Sequence, residues 1–403
     1  MASVAVIEAL LRRDREGQLD LSLMGAEQRG AFDRTSLARV LRGEGDASES
    51  VVAYDASWLE QRGVHPFLGV RARHIERLRR RVHGDGVVLP YDKLILATGG
   101  SAYLPPIRGL LSSAGGLHPG VFLSRSIDDC SALGSAAARC RRIVVLGAGR
   151  LGLSTLEALA TRAGSLHLFD VARRLLGDHL DDYGSDLLRA RLDEIGATVR
   201  LGVAVKAVIG EPWVEGLELA DGSRYECDLL VIAAGGQPCT WLPFQSGLSV
   251  ERGVVVDGYL RSVDDENVYA LGACAQWRSR VSSIPEEITA QAEVIAQHVL
   301  QGKLAAKYVG EPTGQRFALL GLEFFALGRA ENQPGDDVFL TCEPSSERYK
   351  KLVWRHGRLV SALLAGDLRR AEDMRQLHAA HTQVPQERQA TLLVSEPESA
   401  GWR

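Results

Sequence analysis

Short apolar runs closed by small residues recur along the chain, and one of them carries a complete pattern. Arg141-Arg-Ile-Val-Val-Leu146 has the β-branched, continuously apolar character of a buried parallel strand. It runs into Gly147-Ala-Gly149-Arg-Leu-Gly152, then into helical spacing at Leu153, Leu156, Ala158 and Leu159. A second run, Leu166-His-Leu-Phe169, is closed by Asp170, 23 residues past Gly147. Each part has a physical job in holding a dinucleotide. Gly147 permits the tight turn, Gly149 lets the backbone approach a pyrophosphate, and Gly152 lets the helix sit close to the strand. The helix N-terminus offers free N–H groups and partial positive charge to phosphates, and the acid accepts from ribose hydroxyls. Asp170 favours NAD because its carboxylate repels a 2′-phosphate, although Arg173 and Arg174 temper that preference.

Two further segments share one design. Tyr91-Asp-Lys-Leu-Ile-Leu-Ala-Thr98-Gly99-Gly100 and Cys227-Asp-Leu-Leu-Val-Ile-Ala-Ala-Gly235-Gly236 each begin polar, pass through an apolar strand and leave on small residues. They flank the glycine motif and imply two related nucleotide domains. A third cue is the strand-like Val268-Tyr-Ala270, which leads to Gly272-Ala273 and on to a helical stretch, Pro285 to Leu300. The chain opens on a helix, Val4 to Arg13, followed by a strand, Leu19 to Met24. From about 315 to 385 the character changes to short strands, with hairpin punctuation at Pro334-Gly335 and His356-Gly357. The expected fold is α/β, with two interleaved doubly wound dinucleotide-binding domains in three layers and a small C-terminal α+β domain. The expected boundaries are 1–120 with 242–310 for one nucleotide domain, 121–241 for the other and 311–385 for the C-terminal domain. A frayed polar tail is expected over 386–403.

Composition narrows the class. The chain has 403 residues, 47 Lys+Arg against 51 Asp+Glu, 45% apolar and 24% charged residues. These values suit a globular protein and argue against disorder. The net charge of −4 gives no reason to expect nucleic-acid binding. Six scattered cysteines form no C-x-x-C pair, and ten histidines show no metal spacing, so neither a disulfide framework nor a metal site is expected. No apolar stretch reaches the roughly 18 residues of a membrane span. The basic residues of the opening segment follow its apolar run rather than precede it, unlike a signal peptide. A cytoplasmic location away from membranes is expected.

Taken together, the motifs resemble the two-dinucleotide-domain flavoprotein reductases of the rubredoxin- and ferredoxin-reductase type. The nearest likeness is to the flavin module at the front of assimilatory NAD(P)H nitrite reductase large subunits and nitrate reductase electron-transfer subunits. The likeness rests on Gly25-Ala-Glu27, Phe32-Asp33-Arg34, Leu41-Arg-Gly-Glu44, Tyr91-Asp92-Lys93 with Ala97-Thr98-Gly99, Gly147 to Gly152, Asp257 and Val268-Tyr269-Ala270. In the tail it continues through Tyr349-Lys350-Lys351-Leu352-Val353 and Gly366-Asp367. The resemblance implies FAD on the 1–120 and 242–310 domain and NAD or NADP on the 121–241 domain. It implies electrons leaving to a separate acceptor: a nitrite or nitrate reductase subunit, a ferredoxin or a rubredoxin. It places Thr98, Gly99, Gly235, Gly272 and Ala273 near the cofactors, suggests a monomer or homodimer, and assigns no catalytic side chain. Glu27 reads either as a ligand of the FAD adenosine ribose or as an exposed turn acid. Arg34 reads either as facing flavin phosphates or as capping the Phe32 turn. The alternatives to an active reductase are a non-catalytic or assembly subunit that has lost tight FAD, and a rubredoxin- or ferredoxin-type reductase of another system.

Three departures from the family pattern bear on activity. The family's first strand and its glycine turn for FAD do not precede the opening helix, so a strand is missing between Leu19–Met24 and Leu94–Ala97. Two buried edges would then lose partners, at roughly 1–3 kcal/mol for each unsatisfied buried group. The expectation is either a start assigned too late or a compromised domain. Ala273 stands where the family has Asp or Glu near the ribityl chain, which weakens FAD unless a water replaces the carboxylate. Ser154 stands where the family has Glu meeting the nicotinamide carboxamide, which loosens orientation of the hydride donor.

Overall fold

The computed structural model describes residues 1–44, 51–161, 164–310, 314–343 and 346–393, so the last ten residues of the expected tail lie outside it. The chain divides into two compact units. One comprises Met1–Leu37, Gly45–Tyr103 and Gly236–Gly310, and the other Ala38–Glu44, Leu104–Gly235 and Glu311–Arg403. No helix among the described residues is long and apolar enough to cross a membrane.

The second unit is organised around a five-stranded parallel sheet. Its order is Val121–Phe122, Leu229–Ile232, Arg142–Leu146, Ser165–Asp170 and Ala197–Leu201. Ile143 to Leu146 are all buried, as the apolar run requires of a central parallel strand. The pleat sends alternate residues to opposite faces. Val144, Leu146, Leu230 and Ile232 share a core with Leu217 and Leu219 of an antiparallel meander, Val205–Ile209, Gly216–Leu219 and Arg224–Glu226. The opposite face, with Ile143 and Val145, carries the helix Arg150–Leu159. The result is a doubly wound sheet between a helical layer and a meander layer.

The same unit holds the C-terminal α+β region. Five antiparallel strands run in the order Gln315–Leu319, Leu322–Leu327, Arg358–Ala365, Arg348–Arg355 and Asp337–Glu343. The helix Ala371–Ala379 packs Met374 and Leu377 against Leu352, Trp354 and Leu364. His356 and Gly357 have φ of 50° and 74° between Arg355 and its partner Arg358, the two-residue turn with positive φ at both positions that suits twisted strands. Pro334-Gly335 is not a hairpin. The strand after it pairs with Arg348–Arg355 rather than with the strand before it, so the proline and glycine mark a crossing connection.

In the first unit the helix Ala2–Arg13 buries Val4, Val6, Ile7, Ala9 and Leu10, and it packs along the helix Pro285–Gln301. Leu21–Gly25 pairs in parallel with Val64–Leu68, and Leu94–Leu96 pairs in parallel with Val268–Ala270. These are separate two-stranded sheets, and no strand of the described residues joins them. The strand begins two residues later than the sequence suggests, because the Asp14 carboxylate takes the N–H groups of Gln18 and Leu19. The two edges are also not sealed as expected. No residue of Leu21–Gly25 is fully buried, and in Leu94–Leu96 only Leu96 is. Gly100–Ala102 and Gly236–Pro238, the ends of the two similar segments, pair with each other antiparallel.

Candidate functional site

The glycine turn is fixed by backbone contacts. Gly147 has φ of +124°, and a Cβ there would stand 2.3 Å from the Ala233 carbonyl oxygen. A Cβ on Gly152 would stand 1.8 Å from the carbonyl oxygen of Gly147. Both positions therefore require glycine. Gly149 differs: it is exposed, caps the Arg150–Leu159 helix with no side-chain bond, and a Cβ there would meet nothing within 4 Å. The helix thus presents its first N–H groups beside open space, the geometry that suits an anion. Gly235, exposed with φ of +105°, lies two residues past Ala233 and so beside the same turn. Ser154 is half-buried one turn into the helix.

Asp170 is anchored toward that turn. The Ala148 N–H donates to its Oδ2, and the Ala172 N–H donates to Oδ1 at 2.7 Å. Leu176 N–H donates to the Ala148 carbonyl at 3.0 Å, so the segment after Asp170 folds back onto the glycine turn.

In the first unit, four of the singled-out residues surround Cys274. Burial raises the thiol pKa of Cys274, and hydrogen bonds from Thr98 and Gly99 offset part of that. Its sulfur lies 3.2 Å from the Leu96 carbonyl and 3.3 Å from that of Leu271. Gly272 and Ala273 precede it in the 3-10 turn Gly272–Cys274, and a Cβ on Gly272 would stand 3.2 Å from that of Ala2 at the start of the first helix. Arg34 is exposed and opens the 3-10 turn Arg34–Ser36. The Gly272 N–H is already taken by Gln291 Oε1 at 2.7 Å. Glu27 is exposed past the strand Leu21–Gly25, its carbonyl accepting from Gly69, and its carboxylate bonds nothing among the described residues. Among the described residues no group of His, Cys, Asp and Glu is arranged to hold a metal.

Several contacts were not evident from the sequence. Arg150, inside the glycine motif, donates to Gln315 Oε1 at 3.1 Å and lies over the Phe317 ring at 5.0 Å. Asp181 caps the helix Asp182–Glu194, accepting from Gly184 N–H, and also takes Tyr349 Oη at 2.6 Å and Lys351 Nζ at 3.0 Å. Burial would raise the Asp181 carboxyl, but these three donors hold it below the usual value. Tyr349 and Lys351 are two apart on one strand and share a face. Lys350 points the other way and meets Asp367 at 2.9 Å, with both side chains at most 5% exposed. The signal was a pair of lysines inside an apolar strand run, which demands carboxylate partners when buried.

Comparison with known proteins bears on the family and the fold. Residues 1–294 match the family described as pyridine nucleotide-disulphide oxidoreductase, and residues 316–379 match the rubredoxin NAD+ reductase C-terminal domain. Curated relatives include "Nitrite reductase [NAD(P)H]" of Bacillus subtilis (strain 168), 29% identical over 91% of this chain and 44% of that protein. The "Assimilatory nitrate reductase electron transfer subunit" of the same organism is 26% identical over 92% of this chain and 47% of that one. The chain thus spans a little under half the length of these relatives. Among solved structures, the reductase in the covalent putidaredoxin reductase–putidaredoxin complex has a TM-score of 0.82 at 21% identity, covering 97% of this chain and 95% of that one. Its likeness is one of fold. With the family model covering the glycine turn, both small-residue strands and the Gly272 turn, the chain belongs to the pyridine nucleotide-disulphide oxidoreductase family.

Proposed function

We propose that the chain is the electron-accepting module of an NAD(P)H-dependent flavin oxidoreductase that passes electrons to a separate protein. That acceptor is a nitrite or nitrate reductase subunit, or a ferredoxin- or rubredoxin-like carrier. The observation that supports it best is the glycine turn, where two glycines are forced by backbone contacts and the third opens the helix N-terminus beside Asp170. The residues there fit a dinucleotide. Gly149 and the N–H groups after it would hold the pyrophosphate, Asp170 the adenosine ribose, and Ser154 would orient the carboxamide. If bound, these cofactors would supply hydride chemistry on the nicotinamide side and a two-electron to one-electron conversion on the flavin side. The chain's own share is to orient the rings and exclude water.

On the flavin side, which we assign to 1–120 and 242–310, the fit is partial. Arg34 is exposed, while Thr98 Oγ1 already donates to the Cys239 carbonyl at 3.1 Å and the Gly99 carbonyl accepts from the Cys239 N–H at 2.9 Å. Ala273 offers no acceptor to the ribityl hydroxyls, however, and Gln291 occupies the Gly272 N–H. These two observations favour, as a second reading, a subunit that keeps the fold and has lost tight FAD. Purification of the full chain with added FAD separates the readings. A visible flavin band bleached by NADH supports the reductase. A colourless protein that takes up no FAD yet still binds the pyridine nucleotide supports the second reading.

A further inference from the structure

Resting on that reading of the glycine turn, we propose that NADH rather than NADPH is the donor, and that Glu331 sets this choice by engaging Arg174. A dinucleotide whose pyrophosphate lies on the glycine turn places its adenosine ribose at Asp170. The segment after Asp170 is tied down at both ends to Ala148, through the Asp170 carboxylate and through the Leu176 N–H. Arg173 and Arg174 lie within this bracket, and they are the cations closest in sequence to the position a 2′-phosphate would take.

Arg174 does not face that position with free charge. Its Nη2 donates to Glu331 Oε1 at 2.7 Å and its Nη1 to Asp182 Oδ1 at 3.4 Å. Glu331 follows the second strand of the C-terminal sheet, so a residue remote in sequence reaches back to the nucleotide loop. A cavity of about 340 Å3 beside Arg174 is walled by Asp181, Asp182 and Glu331 against Arg174 and Lys351. Three carboxylates against two cations disfavour a dianionic phosphate. Arg173 is exposed and in water, where its attraction is screened.

Glu331 acts through Arg174 and is a positioning residue, so the test reads a ratio of affinities rather than an activity. Dissociation constants of NADH and NADPH are measured by calorimetry on the full chain, the Glu331→Gln variant and the Arg174→Ala/Glu331→Gln double variant. The unaltered protein should bind NADH at least about tenfold more tightly than NADPH. Glu331→Gln should tighten NADPH by roughly two- to fivefold, the modest range of a screened pair, with NADH unchanged within error. Removing Arg174 as well should abolish that gain. Equal affinity of the unaltered protein for both nucleotides, or a Glu331→Gln ratio that stays put, overturns the inference while leaving dinucleotide binding standing. A loss of both affinities in Glu331→Gln shows a structural role and also overturns it. Binding of neither nucleotide by the unaltered protein overturns the reading of the glycine turn itself.

Discussion

The Cα of Gly152 sits so close to Gly147 that an added methyl would lie 1.8 Å from the Gly147 carbonyl oxygen. Gly152→Ala must therefore displace either the turn or the helix. Overpacking of this kind costs about 1–3 kcal/mol, and the moved helix end should weaken NADH binding by about tenfold or more. Gly149→Ala meets no steric obstacle and should leave the melting temperature nearly unchanged while still weakening NADH. Thermal denaturation and NADH titration of the two variants check this; equal melting losses in both would refute the division of roles.

The Asp181 node should be a principal tie between the C-terminal sheet and the helix Asp182–Glu194. Asp181→Ala leaves the buried Lys351 ammonium unpaired and removes a helix cap, for an expected loss of about 3 kcal/mol in urea unfolding. Its acid dependence has a definite sign. The carboxyl is depressed in the folded chain, so its contribution is present above its unfolded pKa of about 4 and disappears as pH falls through the lower folded value. Asp181→Asn should flatten the fall in stability as pH drops below about 4, and an unchanged acid limb would count against the node.

His298 provides a second pH dependence of the same direction. Its Nδ1 lies 2.9 Å from the Tyr269 hydroxyl, and desolvation, followed by the charge of Arg261, lowers its pKa. The unfolded chain then binds the proton more readily than the folded one, so stability declines as pH drops below about 6.5. Melting temperatures at pH 8 and pH 5.5 should differ less in His298→Gln than in the unaltered protein.

Ala273→Asp should strengthen flavin retention. A carboxylate in the Gly272–Cys274 turn would add a charge-assisted acceptor worth about 1.5–3 kcal/mol, or tenfold and more in affinity. The ratio of flavin to protein after gel filtration measures it. No gain would place the ribityl chain elsewhere.

The sequence revealed the second unit better than the first. Arg141 to Asp170 combines a strand buried from Ile143 to Leu146, forced glycines and an amphipathic helix within thirty residues, so local physics alone specifies it. The hairpin at His356-Gly357 was equally local. Pro334-Gly335 misled because turn residues report a bend and say nothing about which strand lies beside the next one. The partners of Lys350 and Lys351 are Asp367 and Asp181, and the latter is 170 residues away, a pairing that periodicity cannot supply. Around Gly272 the sequence showed the absent carboxylate, yet the occupation of its N–H by Gln291 required coordinates.

The antiparallel ladder between Gly100–Ala102 and Gly236–Pro238 has a consequence for biosynthesis. The chain leaves the first unit after Tyr103 and returns to it at Gly236, while all five strands of the parallel sheet lie between Val121 and Ile232. A ribosome therefore completes that inserted sheet before it has made Val268–Ala270, the partner of Leu94–Leu96. At about 5–20 residues per second, the amino-terminal hundred residues wait on the order of ten seconds for that strand. During nascent-chain growth they are the natural clients of chaperones, and the inserted sheet is the first part to become resistant to proteases.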